Sequence, residues 1–336
     1  MKYTRWLIYI LVLLILLLFA IGLSLSIGEL NFSIFDIPGI LKEGEGSLEY
    51  SILKNIRLPR VWMGLAVGGA LSLSGVILQG IYHNPLVEPY TLGISGGAAL
   101  GVAFTIVLGL HYLWGAFMLP VFGFIGAFVA ISLVYFISLK HGKLKINSML
   151  LIGVMISFIS SSLMMLLMAI TTSENLHGIV FWIMGSLEEP NQALIKLTIW
   201  ISVIGLMASY LLVQPLNALR LGEEKARHLG INTDLSIRLL FVIASLLAGV
   251  SVAVAGVIGF VGLVIPHTMR ILVGSDFRIL LLSSFLGGSV FLILCDTLSR
   301  VLILPNQLPI GVITGIVGGI AFVIILSRTS LKLNKS

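Results

Sequence analysis

Three short stretches of this chain hold the residues able to do chemistry. NIRLPR carries Arg57 and Arg60, CDTLSR places Asp296 four residues before Arg300, and GLVIPHTMR carries His267 and Arg270. A guanidinium pairs with a carboxylate through two parallel hydrogen bonds. Arg57, Arg60 and Arg300 therefore have two readings: snorkelling to lipid headgroups, or jointly receiving carboxylates of an external protein. Asp296 is either the ion-pair partner of Arg300 or a proton-relay acid. His267 and Arg270 read as helix-end residues that order a loop. The six histidines show no i, i+4 pair, and the single cysteine, Cys295, lies in the apolar run SVFLILC. That pattern supports no metal site, disulfide framework or thiolate cluster, and Cys295 reads as a buried soft residue. GISGGAALG lacks the Lys-Ser/Thr ending of a phosphate-binding loop, and G-x-x-x-x-G-K-[ST] occurs nowhere. With no nucleophile constellation or facing carboxylates either, an enzyme reading has no support, and nothing points to nucleic acid.

The elements that must carry these residues are membrane spans. Of 336 residues 58% are hydrophobic and 10% charged, with mean hydropathy +1.12. So few charges cannot cover a soluble surface, which makes this a polytopic, all-α membrane protein. A span needs roughly 20 apolar residues. Candidates fall at about 5–27, 58–82, 90–109, 114–139, 147–170, 192–213, 236–256, 257–272, 279–302 and 309–328, ten in all. The first is too long for a signal peptide's apolar region of roughly 7–15 residues and reads as an uncleaved span. The stretch 236–272 is divided near Gly256, which leaves a short eighth span carrying Pro266. Pro59 suits a helix start, which would put Arg57 and Arg60 at a helix mouth. The dipole there disfavours cations by roughly 0.3–1 kcal/mol each.

Ten spans put both termini on one side, and the charges choose it. With the N-terminus inside, only Lys42, Lys54, Arg57, Arg60, Lys196 and Arg300 of the 20 Lys and Arg fall outside, while Lys140, Lys143, Lys145, Arg328, Lys332 and Lys335 are among those inside. The positive-inside rule then makes both termini cytoplasmic. The longest polar inner segment is 214–235, with Leu216, Leu219, Leu221, Ala226 and Leu229 as its possible apolar contacts. It reads either as a solvated loop or as a docking surface for a cytoplasmic partner. Glycine recurs every fourth residue at Gly93, Gly97 and Gly101, and again at Gly311, Gly315 and Gly319. Such ridges allow close helix packing in lipid, or leave room for a pathway or subunit interface. A weak echo between GGALSLSGVILQ (68–79) and AGVSVAVAGVIGF (248–260) suggests duplicated, inverted halves.

The ordered series RLPR (57–60), GALSLSGVILQ (69–79), NPLVEPYTLGISGGAALG (84–101), WIMGSL (182–187), LNALRLGEEKARHLGIN (216–232), GFVGLVIPHTMRILVGSDFR (259–278), DTLSR (296–300) and LPIGVITGIVGG (308–319) spans nearly the whole chain. It resembles the permease subunit of bacterial ABC importers for iron–siderophore complexes, haem and vitamin B12, the FecCD type. The resemblance implies a single ten-span permease domain over 1–336, with the fold of type II importers, in the cytoplasmic membrane. By the same resemblance it would pair with a second permease, in a homodimer or heterodimer, and work with two ATP-binding subunits and an extracytoplasmic substrate-binding protein. ATP and Mg belong to the ATPase, and no cofactor is expected on this chain. The coupling segment would be 214–235, where Leu221, Gly222, Glu223, Ala226, Leu229 and Gly230 match the family's G-E-x-x-A-x-x-L-G and its flank. Arg57, Arg60 and Arg300 match positions that receive the binding protein, and Asn147 and Ser148 fall near the inner gate. Gln307, Phe277 and Val87 depart from the family's usual Glu, His and Ala. The expected function is alternating-access import of a ferric siderophore, with haem or cobalamin as the alternative cargo. An ion-coupled secondary transporter is the rival outside the family.

Overall fold

The structure is a computed structural model describing residues 2–28, 30, 32–44, 46–140, 143–189, 191–303 and 306–333. Lys335 lies outside the described residues, as do the side chains of Lys140, Lys143, Arg328 and Lys332. The chain is helical almost throughout. α1 (Lys2–Ser26) leads through the short α2 (Ile37–Glu43) and α3 (Leu48–Ile52) to α4 (Leu58–Tyr82). α5 (Ile94–Val107), α6 (Leu110–Trp114) and α7 (Met118–Ser138) follow, then α8 (Ile146–Ile170), α9 (Ser173–Met184) and α10 (Gln192–Leu211). Two short helices, α11 (Val213–Leu219) and α12 (Glu223–His228), precede α13 (Thr233–Ala255), α14 (Val261–Val273), α15 (Phe277–Val301) and α16 (Ile310–Leu333). The one extended feature among the described residues is a two-residue antiparallel pair, Leu139–Lys140 with Lys143–Leu144.

Among the described residues eight helices, not ten, are long and apolar enough to cross a membrane. The expected third and eighth spans are the short helices α5 and α14, of 14 and 13 residues. At 1.5 Å per residue these reach only about 20 Å of a hydrocarbon core about 30 Å thick. An unwound segment precedes each: 83–93, containing one 3-10 turn, before α5, and 256–260 before α14. The division expected at Gly256 is where α13 stops, with that glycine at φ +71°. The second span also differs. It runs unbroken from Leu48 to Tyr82, 35 residues, through a π turn at Leu53–Arg57. Leu58 N–H bonds to Leu53 C=O across that turn, so the wider loop accommodates Pro59, which has no N–H to offer and would clash in a regular turn. Arg57 and Arg60 therefore sit inside a continuous helix, and no dipole end faces them.

α4 and α15 form the centre, with 89% and 83% of their apolar windows buried, against 17% for α8 and 22% for α1. A helix apolar on every side belongs inside, and small residues bring these two together. A Cβ on Gly68 would collide with the Gly288 carbonyl oxygen, and one on Gly288 with that of Gly68. Ser289 on α15 donates to the Leu65 carbonyl at 2.8 Å, and Ser74 on α4 to that of Ala244 at 2.8 Å. In lipid, where apolar contact gives helices no net attraction over the tails, such packing and hydrogen bonds hold the bundle.

Candidate functional site

Polar side chains gather at two opposite ends of the bundle. α1, α4 and α15 connect the ends, each 25 residues long, or about 37 Å. At one end, α11 and α12 turn on Gly222, whose φ of +101° favours glycine, and α12 closes at Gly230, φ +81°. Arg227 holds this turn together: it pairs with Glu223 at 2.7 Å and Asp234 at 3.5 Å, and donates to Thr233 Oγ1 at 2.8 Å. Leu216, Leu219 and Ala226 are buried against the bundle, whereas Leu221 and Leu229 are 57% and 63% exposed. The structure thus divides the residues expected to meet a partner. Ala226, at 0% exposure, seats α12 on its own chain, and the outward apolar side chains are Leu221 and Leu229. Asn147 and Ser148 line a cavity of about 760 Å³ together with His83, Gly222 and Glu223, which sets both beside the turn.

The same end anchors the start of the chain. Lys2 pairs with Asp276 at 3.1 Å, and Asn217 of α11 donates to Asp276 at 3.3 Å and accepts from Phe277 N–H at 3.1 Å. Burial alone would raise the Asp276 carboxyl. The Arg278 N–H, Lys2 and Asn217 outweigh it and hold the group below the usual carboxylate range.

At the other end, Arg57, Arg60 and Arg300 come together as expected, but they are only 3%, 5% and 5% exposed. Arg57 donates to the Leu25 and Leu30 carbonyls and covers the Phe32 ring at 4.4 Å. Arg300 pairs with Asp296 at 3.1 Å and donates to Ser24 Oγ at 2.7 Å. Arg60 lies 3.3 Å from Glu188 and 3.9 Å from Asp296, and donates to Gln307 at 2.7 Å. Arg60 Nε and Nη1 nevertheless lack hydrogen-bond partners. Asp296 is thus the ion-pair acid of this cluster, and Gln307 stays within it as a neutral acceptor. Far from waiting as free cations on a surface, the guanidiniums tie α1, α4, α15 and the loops around 188 and 307.

The two glycine ridges differ. Gly97 and Gly101 press on α7, where a Cβ would strike the Gly126 and Phe122 carbonyl oxygens, and Gly93 takes φ +84° at the start of α5. Gly311 meets the Met184 carbonyl and Gly319 nears the Phe260 ring, but nothing lies within 4 Å of a Cβ on Gly315. The first ridge is internal packing, while the second leaves open space at its middle. The first echo segment falls on α4, and the second covers the end of α13 together with the unwound segment 256–260 that follows it.

Sequence reasoning missed how the unwound segments are satisfied. Glu88 accepts from the Phe260 N–H at 2.8 Å, and the Tyr90 hydroxyl accepts from the Ile258 N–H at 3.2 Å. Backbone donors without water must find acceptors, and the first segment supplies them to the second. Phe260 is held at φ +68°, a conformation costly for a bulky residue. An acid between two prolines in an apolar run, Pro85-Leu-Val-Glu88-Pro89, was the available signal.

A model of the FecCD transport family matches residues 14–328. The hemin transport system permease protein HmuU of Yersinia pestis is 36% identical over 318 residues, 94% of each chain. The vitamin B12 import system permease protein BtuC of Salmonella typhi is 37% identical over 333 residues, 97% of this chain and 96% of its own. Among solved structures, one described as a metal-chelate type ABC transporter in an inward-facing conformation superposes with TM-score 0.84 at 31% identity, over 95% of this chain and 98% of that one.

Proposed function

The chain belongs to the FecCD transport family, and from that membership we propose that it is the permease of an importer for haem or a cobalamin. Membership makes it a multi-pass transport subunit of an ABC importer for a metal-chelate class of substrate, not an enzyme. The cargo is the narrower reading. The sequence alone leads one to expect a ferric siderophore, but the hemin and vitamin B12 permeases among its relatives favour the alternative, a metal held in a large macrocycle. Both shares of coverage are near complete, so the likeness concerns the whole pathway.

In this reading the chain makes ten passes of the cytoplasmic membrane, counting α5 and α14 with their unwound leaders, and its termini are cytoplasmic. The observation that carries the mechanism is the pair of polar ends joined by α1, α4 and α15. Two ATPase subunits, which hold ATP and Mg, engage the 214–235 segment through Leu221, Leu229 and the Gly222–Gly230 turn. A loaded binding protein docks at the opposite end. Arg57, Arg60 and Arg300 against Asp296 and Glu188 leave that cluster one positive charge in excess, which favours an acidic docking surface on the incoming protein. A second permease pairs across the exposed apolar face of α16, where Gly315 leaves room for cargo. ATP and the loaded binding protein each favour one arrangement of the bundle, which is how uptake is driven.

The test is reconstitution of the permease with its co-purified ATPase and binding protein in proteoliposomes, offered haem, cobalamin and a panel of ferric siderophores. ATP-dependent accumulation of haem or cobalamin is expected. Accumulation of a siderophore alone would overturn the cargo, and uptake without the ATPase would overturn the mechanism in favour of ion coupling.

A further inference from the structure

A cavity of about 390 Å³ lies where the C-terminal end of α4, the end of α11, the last turns of α14 and the start of α15 meet. His83, Arg220, His267 and Arg270 line it with Gln79 and Phe277, and no acidic side chain does among the described residues. Arg270 is half-buried and close enough to Arg220 to be repelled by it. Among the described residues, neither guanidinium has a carboxylate within ion-pair distance, and Arg220 reaches only Asn217 Oδ1 at 3.5 Å. Both ring nitrogens of His267 are shielded from solvent without a hydrogen-bond partner, as is Gln79 Oε1. The nearest acids in sequence are engaged elsewhere: Glu223, three residues after Arg220, pairs with Arg227, and Asp276 is held by Lys2, Asn217 and the Arg278 N–H.

Helix ends explain part of this. α4, α11 and α14 all terminate here, and carbonyl ends favour cations by about 0.3–1 kcal/mol each. That tolerates the arginines, but it leaves the histidine without a partner. A buried polar group with no partner costs about 1–3 kcal/mol. A tetrahedral oxyanion answers most of these features: its oxygens accept from both guanidiniums and from one ring N–H of His267, and a hydroxyl on it donates to Gln79 Oε1. A carboxylate has fewer oxygens and no such hydroxyl. We infer that this pocket binds a phosphate group bearing a hydroxyl on itself or on its ester, from either free phosphate or an anionic lipid headgroup. Basic pockets between helices at the cytoplasmic side attract the latter.

Two preparations of the full-length chain separate the sources. Delipidated protein in dodecyl maltoside is titrated with inorganic phosphate by calorimetry, with chloride as the control anion. Protein in nanodiscs containing phosphatidylglycerol is examined by native mass spectrometry for retained anionic lipid. One saturable site is expected in at least one preparation, weakened at least tenfold by Arg220→Gln combined with Arg270→Gln. Arg270→Lys should stay within threefold of wild type, and so should Arg5→Gln on the exposed face of α1. Response to phosphate in detergent assigns a free phosphate, and retained lipid alone assigns a headgroup. Absence of saturable binding in both preparations overturns the site, as does unchanged binding in the double variant. Should the double variant unfold on heating earlier than wild type, Arg220→Gln alone, at the exposed rim, takes its place. Binding weakened at least threefold by that single change supports the site, and smaller weakening overturns it.

Discussion

Asp296 is where a single side chain decides most. It is buried at 3% exposure between Arg300 and Arg60, so removing its charge leaves two guanidiniums buried beside each other. Breaking a buried pair from one side costs about 3–5 kcal/mol. Asp296→Asn should therefore lower the thermal unfolding midpoint of the purified permease clearly, and adding Arg300→Met should recover part of the loss. An unchanged midpoint in the single variant would show that Asp296 is not the charge that holds this end. Asp276, outside the spans, gives a pH-dependent counterpart. Its carboxyl is held below the usual range, so its contribution is fully present above the unfolded value of about 4. It is lost as pH falls through the lower folded value. Acid unfolding below pH 4 should be blunted in Asp276→Asn, which starts less stable at neutral pH, and parallel curves for both proteins would contradict the assignment.

Among elements, the helix contacts rank themselves by what a methyl group would meet. A Cβ on Gly75 would run into the backbone of Gly262 where α4 crosses α14, while one on Gly315 meets nothing within 4 Å. Backbone cannot yield as a side-chain tip can, and overpacking typically costs about 1–3 kcal/mol or more. Gly75→Ala should thus reduce folded yield sharply on size-exclusion chromatography, and Gly315→Ala should stay within about 0.5 kcal/mol of the parent chain. The short helix α12 calls for a different substitution. Leu229 is exposed and Ala226 is not, so Leu229→Asp should leave the melting temperature in place while abolishing stimulation of the partner ATPase by the loaded binding protein. Retained stimulation would move the contact elsewhere on the turn.

For the molecule as a whole, orientation is the property everything else depends on. Lys2 of α1 and the 214–235 segment share one end of the bundle through Asp276, and the proposed orientation, drawn from the charge bias, puts that end in the cytoplasm. Cys295 is buried, which leaves a clean background for labelling. K225C, at an exposed position of α12, should resist a membrane-impermeant maleimide in intact cells and react once they are permeabilised. Reaction in intact cells would invert the topology. The class, the long spans, the break near Gly256 and the grouping of three arginines were all readable from the chain, because apolar run length and charge placement are local properties that the bilayer enforces directly. The shortness of α5 and α14, the inward aim of Ala226, the burial of Arg57, Arg60 and Arg300, and the service of Glu88 and Tyr90 to residues 258–260 were not. Each depends on which distant backbone or side chain lies opposite, and only the packed bundle brings those partners, some 170 residues apart in the case of Glu88 and Phe260, within 3 Å.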